Sequence, residues 1–167
     1  MHVLICDDDA AFGARMADYI HDYFEARSVQ LQTVVCTGAA EALRTPYLEL
    51  YQLAFLDVDM PGTNGIALGR ELKQRSPDIR LVYVSAYLEF APEGYTVNAY
   101  RYLLKRDIAR MLPKCLDDLL AAFTDQHRTL TVHHNRATSE IPLYHIYYLE
   151  SALRQINIYG DIPHRPI

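Results

Sequence analysis

Short apolar runs alternate with longer amphipathic stretches over the first 125 residues. Val3–Cys6, Leu31–Cys36, Leu53–Leu56, Ile79–Ser85 and Tyr100–Leu104 are five such runs, rich in aliphatic residues. A strand with one wet face alternates apolar and polar positions, so these near-continuous runs predict strands covered on both faces. Between them, Phe12, Met16, Tyr19, Ile20, Tyr23 and Phe24 recur at helical steps within a helix predicted over Ala10–Arg27. Ile66, Leu68, Gly69 and Leu72 predict a second helix. Ile108, Met111, Leu112, Leu116, Leu119, Leu120 and Phe123 predict a third. Pro113 interrupts that last stripe; lacking an N–H, it predicts a kink or a later helix start. Five βα units make an α/β domain with a doubly wound, five-stranded parallel sheet in the order 2-1-3-4-5. Its site is expected at the carboxyl ends of the strands.

Beyond Phe123 the pattern changes. Thr124–Arg128 is polar and reads as a linker, followed by three strand-like runs at Leu130–His133, Ile141–Leu149 and Leu153–Tyr159. These hold β-branched and aromatic residues with partial alternation and no helical partner. The predicted division is 1–125 for the α/β domain and 126–167 for a linker and short β-rich segment, small for a second domain.

Charge narrows the possible partners. The net charge is −5, and residues 1–125 hold twelve Lys/Arg against eighteen Asp/Glu. Such a surface does not neutralise nucleic-acid phosphates; it suits a cation or a partner with a basic face. Cys6, Cys36 and Cys115 are odd in number and widely spaced, which predicts reduced thiols and a cytoplasmic location. No run approaches the ~20 apolar residues of a membrane span. The N-terminal segment lacks the basic start of a signal peptide.

The ends of the apolar runs carry the chemistry. Asp7-Asp8-Asp9 follows the first, and Asp57 and Asp59 follow the third. In a 2-1-3 order those strands are neighbours, so several carboxylates meet at one rim. Carboxylates that close repel unless a cation lies among them, and an all-oxygen set suits Mg²⁺. Asp9 also precedes the first helix and is a candidate N-cap. Ser85 ends the fourth run and Lys105 the fifth. Together these groups predict a phosphoryl-transfer site. A carboxylate is anionic at neutral pH and needs no general base. It needs countercharge as the transferred oxygens gain charge, which Mg²⁺ and a lysine supply.

Four segments, in order, resemble receiver domains of two-component response regulators. They are Leu4-Ile5-Cys6-Asp7-Asp8-Asp9, Leu56-Asp57-Val58-Asp59-Met60-Pro61-Gly62 with Asn64-Gly65, Val84-Ser85-Ala86, and Tyr102-Leu103-Leu104-Lys105. The resemblance implies a flavodoxin-like sheet and phosphorylation of Asp57 by a sensor histidine kinase. It implies Mg²⁺ held by Asp7, Asp8, Asp57 and the backbone carbonyl of Asp59. Ser85 and Lys105 would contact the phosphoryl group, and Tyr102 would be an aromatic switch following Ser85. Homodimerisation on phosphorylation is implied as well, and no enzyme activity beyond self-phosphorylation from small donors and its reversal. The family usually has proline after the lysine, where this chain has Arg106.

Val97–Lys105 looks most like receivers joined to LytTR-type DNA-binding domains, and Ile141–Ser151 is similar to early strands of that all-β module. The implied output is transcription control through promoter DNA by the full-length protein, with these residues alone expected not to recognise a promoter. Three rivals are weaker. Asp57-Val58-Asp59 resembles the motif of haloacid-dehalogenase-type phosphatases but sits far from the N-terminus and leaves Asp7 and Asp8 unexplained. A receiver switched by dimerisation without phosphate has no need of the full acid set. A dinucleotide fold lacks its glycine-rich loop after the first strand.

Overall fold

The computed structural model describes residues 1–126, 129–134, 137–143, 146–152 and 155–160. His127 and Arg128 of the expected linker, Tyr144 and His145, and the expected strand start at Leu153 lie outside the described residues.

Five strands, β1 (His2–Cys6), β2 (Gln32–Cys36), β3 (Leu53–Asp57), β4 (Arg80–Ser85) and β5 (Arg101–Leu104), form one parallel sheet. Its order is β2-β1-β3-β4-β5, as the apolar runs predict. Three strands begin one residue later than expected. Leu53 to Asp57 are all buried, so β3 is covered on both faces. Successive side chains alternate between faces. Leu4, Cys6, Ala54, Leu56, Leu81 and Tyr83 join one core cluster with Ala39, Ile66, Leu68 and Leu72. Val3, Ile5, Leu53, Phe55, Val82 and Val84 are equally buried on the other side. Asp7 and Asp57 continue that second set.

Helix α1 (Ala10–Glu25) starts at Asp9, whose side chain accepts from Phe12 N, and buries Gly13, Met16, Ile20, Tyr23 and Phe24. It ends two residues before the expected Arg27. Ser28 turns left-handed at φ 59° while Val29 N donates to Phe24 O at 3.0 Å, closing the helix. Two helices went unread in the sequence: α2 (Ala39–Ala42) and α4 (Ala91–Thr96). Four and six residues are too few to show a helical stripe. Between them, α3 (Gly65–Arg75) is capped by Asn64, which accepts from Ile66 N at 2.7 Å.

The last helix, α5 (Ile108–Gln126), begins before Pro113 and continues through it, correcting the expectation of a later start. Pro113 leaves one early carbonyl without its helical donor, a cost that the rest of the helix absorbs. The chain divides into compact units at Met1–Cys115 and Leu116–Ile167, inside α5, whereas the sequence places a boundary at Asp125.

Among the described residues, the second unit holds four strands where the sequence predicts three. β6 (Thr129–His134) pairs antiparallel with β7 (Ala137–Pro142), and β8 (Ile146–Ala152) with β9 (Gln155–Gly160). The apolar run Ile141–Leu149 therefore spans the end of one strand and the start of the next. Ala137-Thr138-Ser139-Glu140 is paired by its backbone and carries no apolar signal.

Candidate functional site

The strand ends bring the acids together. Asp7 follows β1, and its N–H donates to Cys36 O at 3.1 Å, so the backbone is fixed before the side chain turns into the site. Asp57 closes β3, one strand over. Asp7 is fully buried and Asp57 nearly so, at 0% and 5% exposure, while Asp8 stands exposed at the rim. Each of Asp7, Asp8 and Asp57 offers a carboxylate oxygen within 4.8 Å of the others. The Asp59 carboxylate is exposed and lies outside that set; its N–H donates to Asp57 Oδ1 at 3.3 Å.

Lys105, which begins a 3-10 turn after β5, reaches back over the acids. Its Nζ donates to Asp57 Oδ2 at 2.7 Å and to Asp7 Oδ1 at 3.0 Å. The Lys105–Arg106 peptide is trans, so the loop keeps its lysine without the family's proline. Burial opposes the ammonium charge, but the hydrogen bonds and charges of Asp57 and Asp7 outweigh it and hold the Lys105 pKa above its ordinary value. Burial also pushes the Asp7 carboxyl up; Lys105 opposes this and Asp57 adds to it.

Two buried carboxylates thus share one ammonium, with a third carboxylate at the rim, and negative charge is in excess. Asp7 Oδ2 is buried and accepts no hydrogen bond, although it lies 2.8 Å from Lys105 Nζ. An all-oxygen set of three carboxylates that shares a single ammonium fits a hard divalent cation such as Mg²⁺. Zinc sites favour nitrogen and sulfur ligands instead.

Ser85 ends β4, one residue past Val84, the register partner of Asp57. Its hydroxyl is buried and accepts from Tyr87 N at 3.1 Å. Tyr102, the register partner of Tyr83, donates its hydroxyl to Tyr87 O. Burial raises the Tyr102 phenol pKa, a hydrogen bond with Ser85 lowers it, and the charge of Asp57 raises it again. Ser85, Tyr87 and Tyr102 are therefore linked within reach of the Asp57 field.

A family model described as the response regulator receiver domain matches residues 3–115. This chain belongs to that family.

The receiver is similar to an uncharacterised response regulatory protein of Shewanella oneidensis. The two are 32% identical over 143 residues, covering 84% of this chain and 57% of that protein. It is also 29% identical over 105 residues to the sensory transduction protein LytT of Enterococcus faecalis, covering 63% of this chain and 42% of LytT. This chain thus spans about half the length of these two relatives. In fold it resembles the response regulator TrrA of Thermotoga maritima, solved in complex with Mg²⁺–BeF. That match has a TM-score of 0.54 at 20% identity, over 71% of this chain and 97% of the TrrA chain. Among the described residues, no helix is long and apolar enough to cross a membrane.

Two residues of the receiver site carry no chemical label in the sequence. Gly65 opens α3 against the end of β3, and a Cβ there would sit 1.8 Å from Asp57 O. Phe12 reads as one member of an apolar stripe, yet its ring centroid lies 4.7 Å from Lys105 Nζ. The Asn64-Gly65 pair was a signal for the first. For the second there was none.

Proposed function

We propose that this receiver accepts a phosphoryl group on Asp57 from a sensor histidine kinase, with Mg²⁺ bound by Asp7, Asp8, Asp57 and the Asp59 backbone carbonyl. The observation that carries the proposal is the triad of carboxylates with Lys105 bridging two of them at the ends of adjacent strands. TrrA, a protein of the same fold, is known with Mg²⁺–BeF bound. When bound, the metal supplies countercharge to the transferred oxygens.

The chain's own residues do the rest. A carboxylate oxygen of Asp57 attacks phosphorus while the bond from phosphorus to the donor group breaks, and the donor leaves with the bonding electrons. Lys105 is placed to pair with a phosphoryl oxygen as charge grows there, since preorganised charge costs no rearrangement at the moment of reaction. Ser85 meets the same group with its hydroxyl, and Tyr102 follows Ser85 through their shared contact with Tyr87. We assign the output of the longer protein to transcription, through a LytTR-type domain on promoter DNA and a homodimer formed on phosphorylation. The likeness to LytT supports that output.

Acetyl phosphate with Mg²⁺ tests the acceptor. Intact-mass spectrometry is expected to show one added phosphoryl group on the wild type and none on Asp57→Asn. Equal labelling of both would place the acceptor elsewhere, and an unlabelled wild type would end the proposal.

A further inference from the structure

Lys105 is held by more than its two carboxylates. Its ammonium stands 4.7 Å from the centroid of the half-buried Phe12 ring, in the first turn of α1. The ring is seated by the site itself. Asp9 Oδ1 accepts from Phe12 N at 3.0 Å, and Asp9 N donates to Asp7 Oδ1 at 2.9 Å. The residue that places the ring is thereby tied to the carboxylate that places the ammonium.

A cation over the negative face of an aromatic ring is attracted by its quadrupole, more strongly where water is partly excluded. Lysine is a point charge on a flexible four-carbon stem. Once the carboxylate oxygens are engaged by a metal and a phosphoryl group, they no longer fix that stem alone. The ring still does. We infer that Phe12 is a positioning residue for phosphoryl transfer, keeping the Lys105 ammonium over Asp57. This rests on Asp57 being the acceptor.

Packing is the competing role. Phe12 also lines an apolar cavity of about 220 Å³ with Met16, Ile108, Ala109 and Leu112. Leucine would serve that role as well as phenylalanine, whereas only an aromatic ring attracts the cation. The experiment follows the rate of acetyl-phosphate labelling at saturating Mg²⁺, with Asp57→Asn as the blank. Phe12→Leu is expected to slow labelling by about three- to tenfold, while Phe12→Tyr stays within about twofold of wild type. In a Lys105→Ala background, Phe12→Leu is expected to add nothing further. NMR of the wild type supplies a readout independent of any variant's folding: the Lys105 ε-methylene protons are expected to be shifted by the Phe12 ring current.

Wild-type speed in Phe12→Leu overturns the inference, as does equal slowing by leucine and tyrosine. The same loss with and without Lys105 overturns it too, and so do unshifted ε-methylene protons. An unlabelled wild type is a separate result: it removes the acceptor on which the inference stands.

Discussion

The two units of this chain bury their strands in opposite ways. In β3 every residue from Leu53 to Asp57 is covered. In the β8–β9 hairpin, Tyr147 is 68% exposed, Leu149 52% and Ile156 69%. Both regions are rich in apolar residues, so composition alone does not separate them. What differs is how backbone pairing relates to covering layers. The parallel sheet has neighbours in register and helices along its length. Each antiparallel hairpin is a two-stranded sheet, held by its own ladder and by cross-strand pairs such as the Tyr148–Tyr159 stack at 4.4 Å. Apolar area stabilises where it leaves water, and in the second region much of it has not.

That contrast can be broken by substitution. The largest effect is expected from Leu56→Ala, which empties a fully buried site: about 2–5 kcal/mol lost in urea unfolding followed by circular dichroism. A loss below about 1 kcal/mol would mean that β3 is not the enclosed strand described here. Gly65→Ala comes next. Its methyl would lie 1.8 Å from Asp57 O, so α3 has to shift, and a net loss of about 2 kcal/mol is expected despite alanine's better helix propensity.

Tyr83→Phe runs the other way. The Tyr83 hydroxyl is buried with no hydrogen-bond partner among the described residues, and deleting it is expected to raise stability by about 1 kcal/mol at neutral pH. Burial also raises the Tyr83 phenol pKa. A group raised in this way contributes its stability in full below the ordinary phenol value near 10 and loses it as pH climbs through the raised one. Above pH about 10, therefore, the wild type should fall away more steeply than Tyr83→Phe in the same unfolding assay. Parallel curves would contradict the burial. The smallest effect belongs to the hairpin: Ile156→Ser is expected to change stability by less than about 0.5 kcal/mol. A large loss would show that the hairpin is covered after all.

The same contrast governs how much the sequence disclosed. A strand enclosed on both faces writes its burial into consecutive residues, so Leu53-Ala54-Phe55-Leu56 was legible. Asp57 stood out because it ends that run, and Asp7, Ser85 and Lys105 end theirs. Elements held by particular contacts left no such trace. α2 is secured by Glu41 Oε2, which accepts from Thr37 N at 2.8 Å. α4 lies close on the core at Gly94, where a Cβ would come within 3.2 Å of the Tyr83 ring. β7 begins Ala-Thr-Ser-Glu and is a strand because β6 supplies its hydrogen bonds. Pro113 misled because a proline's effect on a helix depends on what else secures that helix. Phe12 reads as one member of an apolar helical stripe and is half-buried, and its second neighbour, an ammonium from the far end of the domain, is visible only in three dimensions.

A single hydrogen atom decides how Asp57 is mounted. Because Gly65 presents no methyl, the eleven-residue helix it opens rests directly on the peptide of Asp57. Such a joint has no slack. No pliant side chain separates rod from strand at this seam, so the smallest residue works here as a bearing.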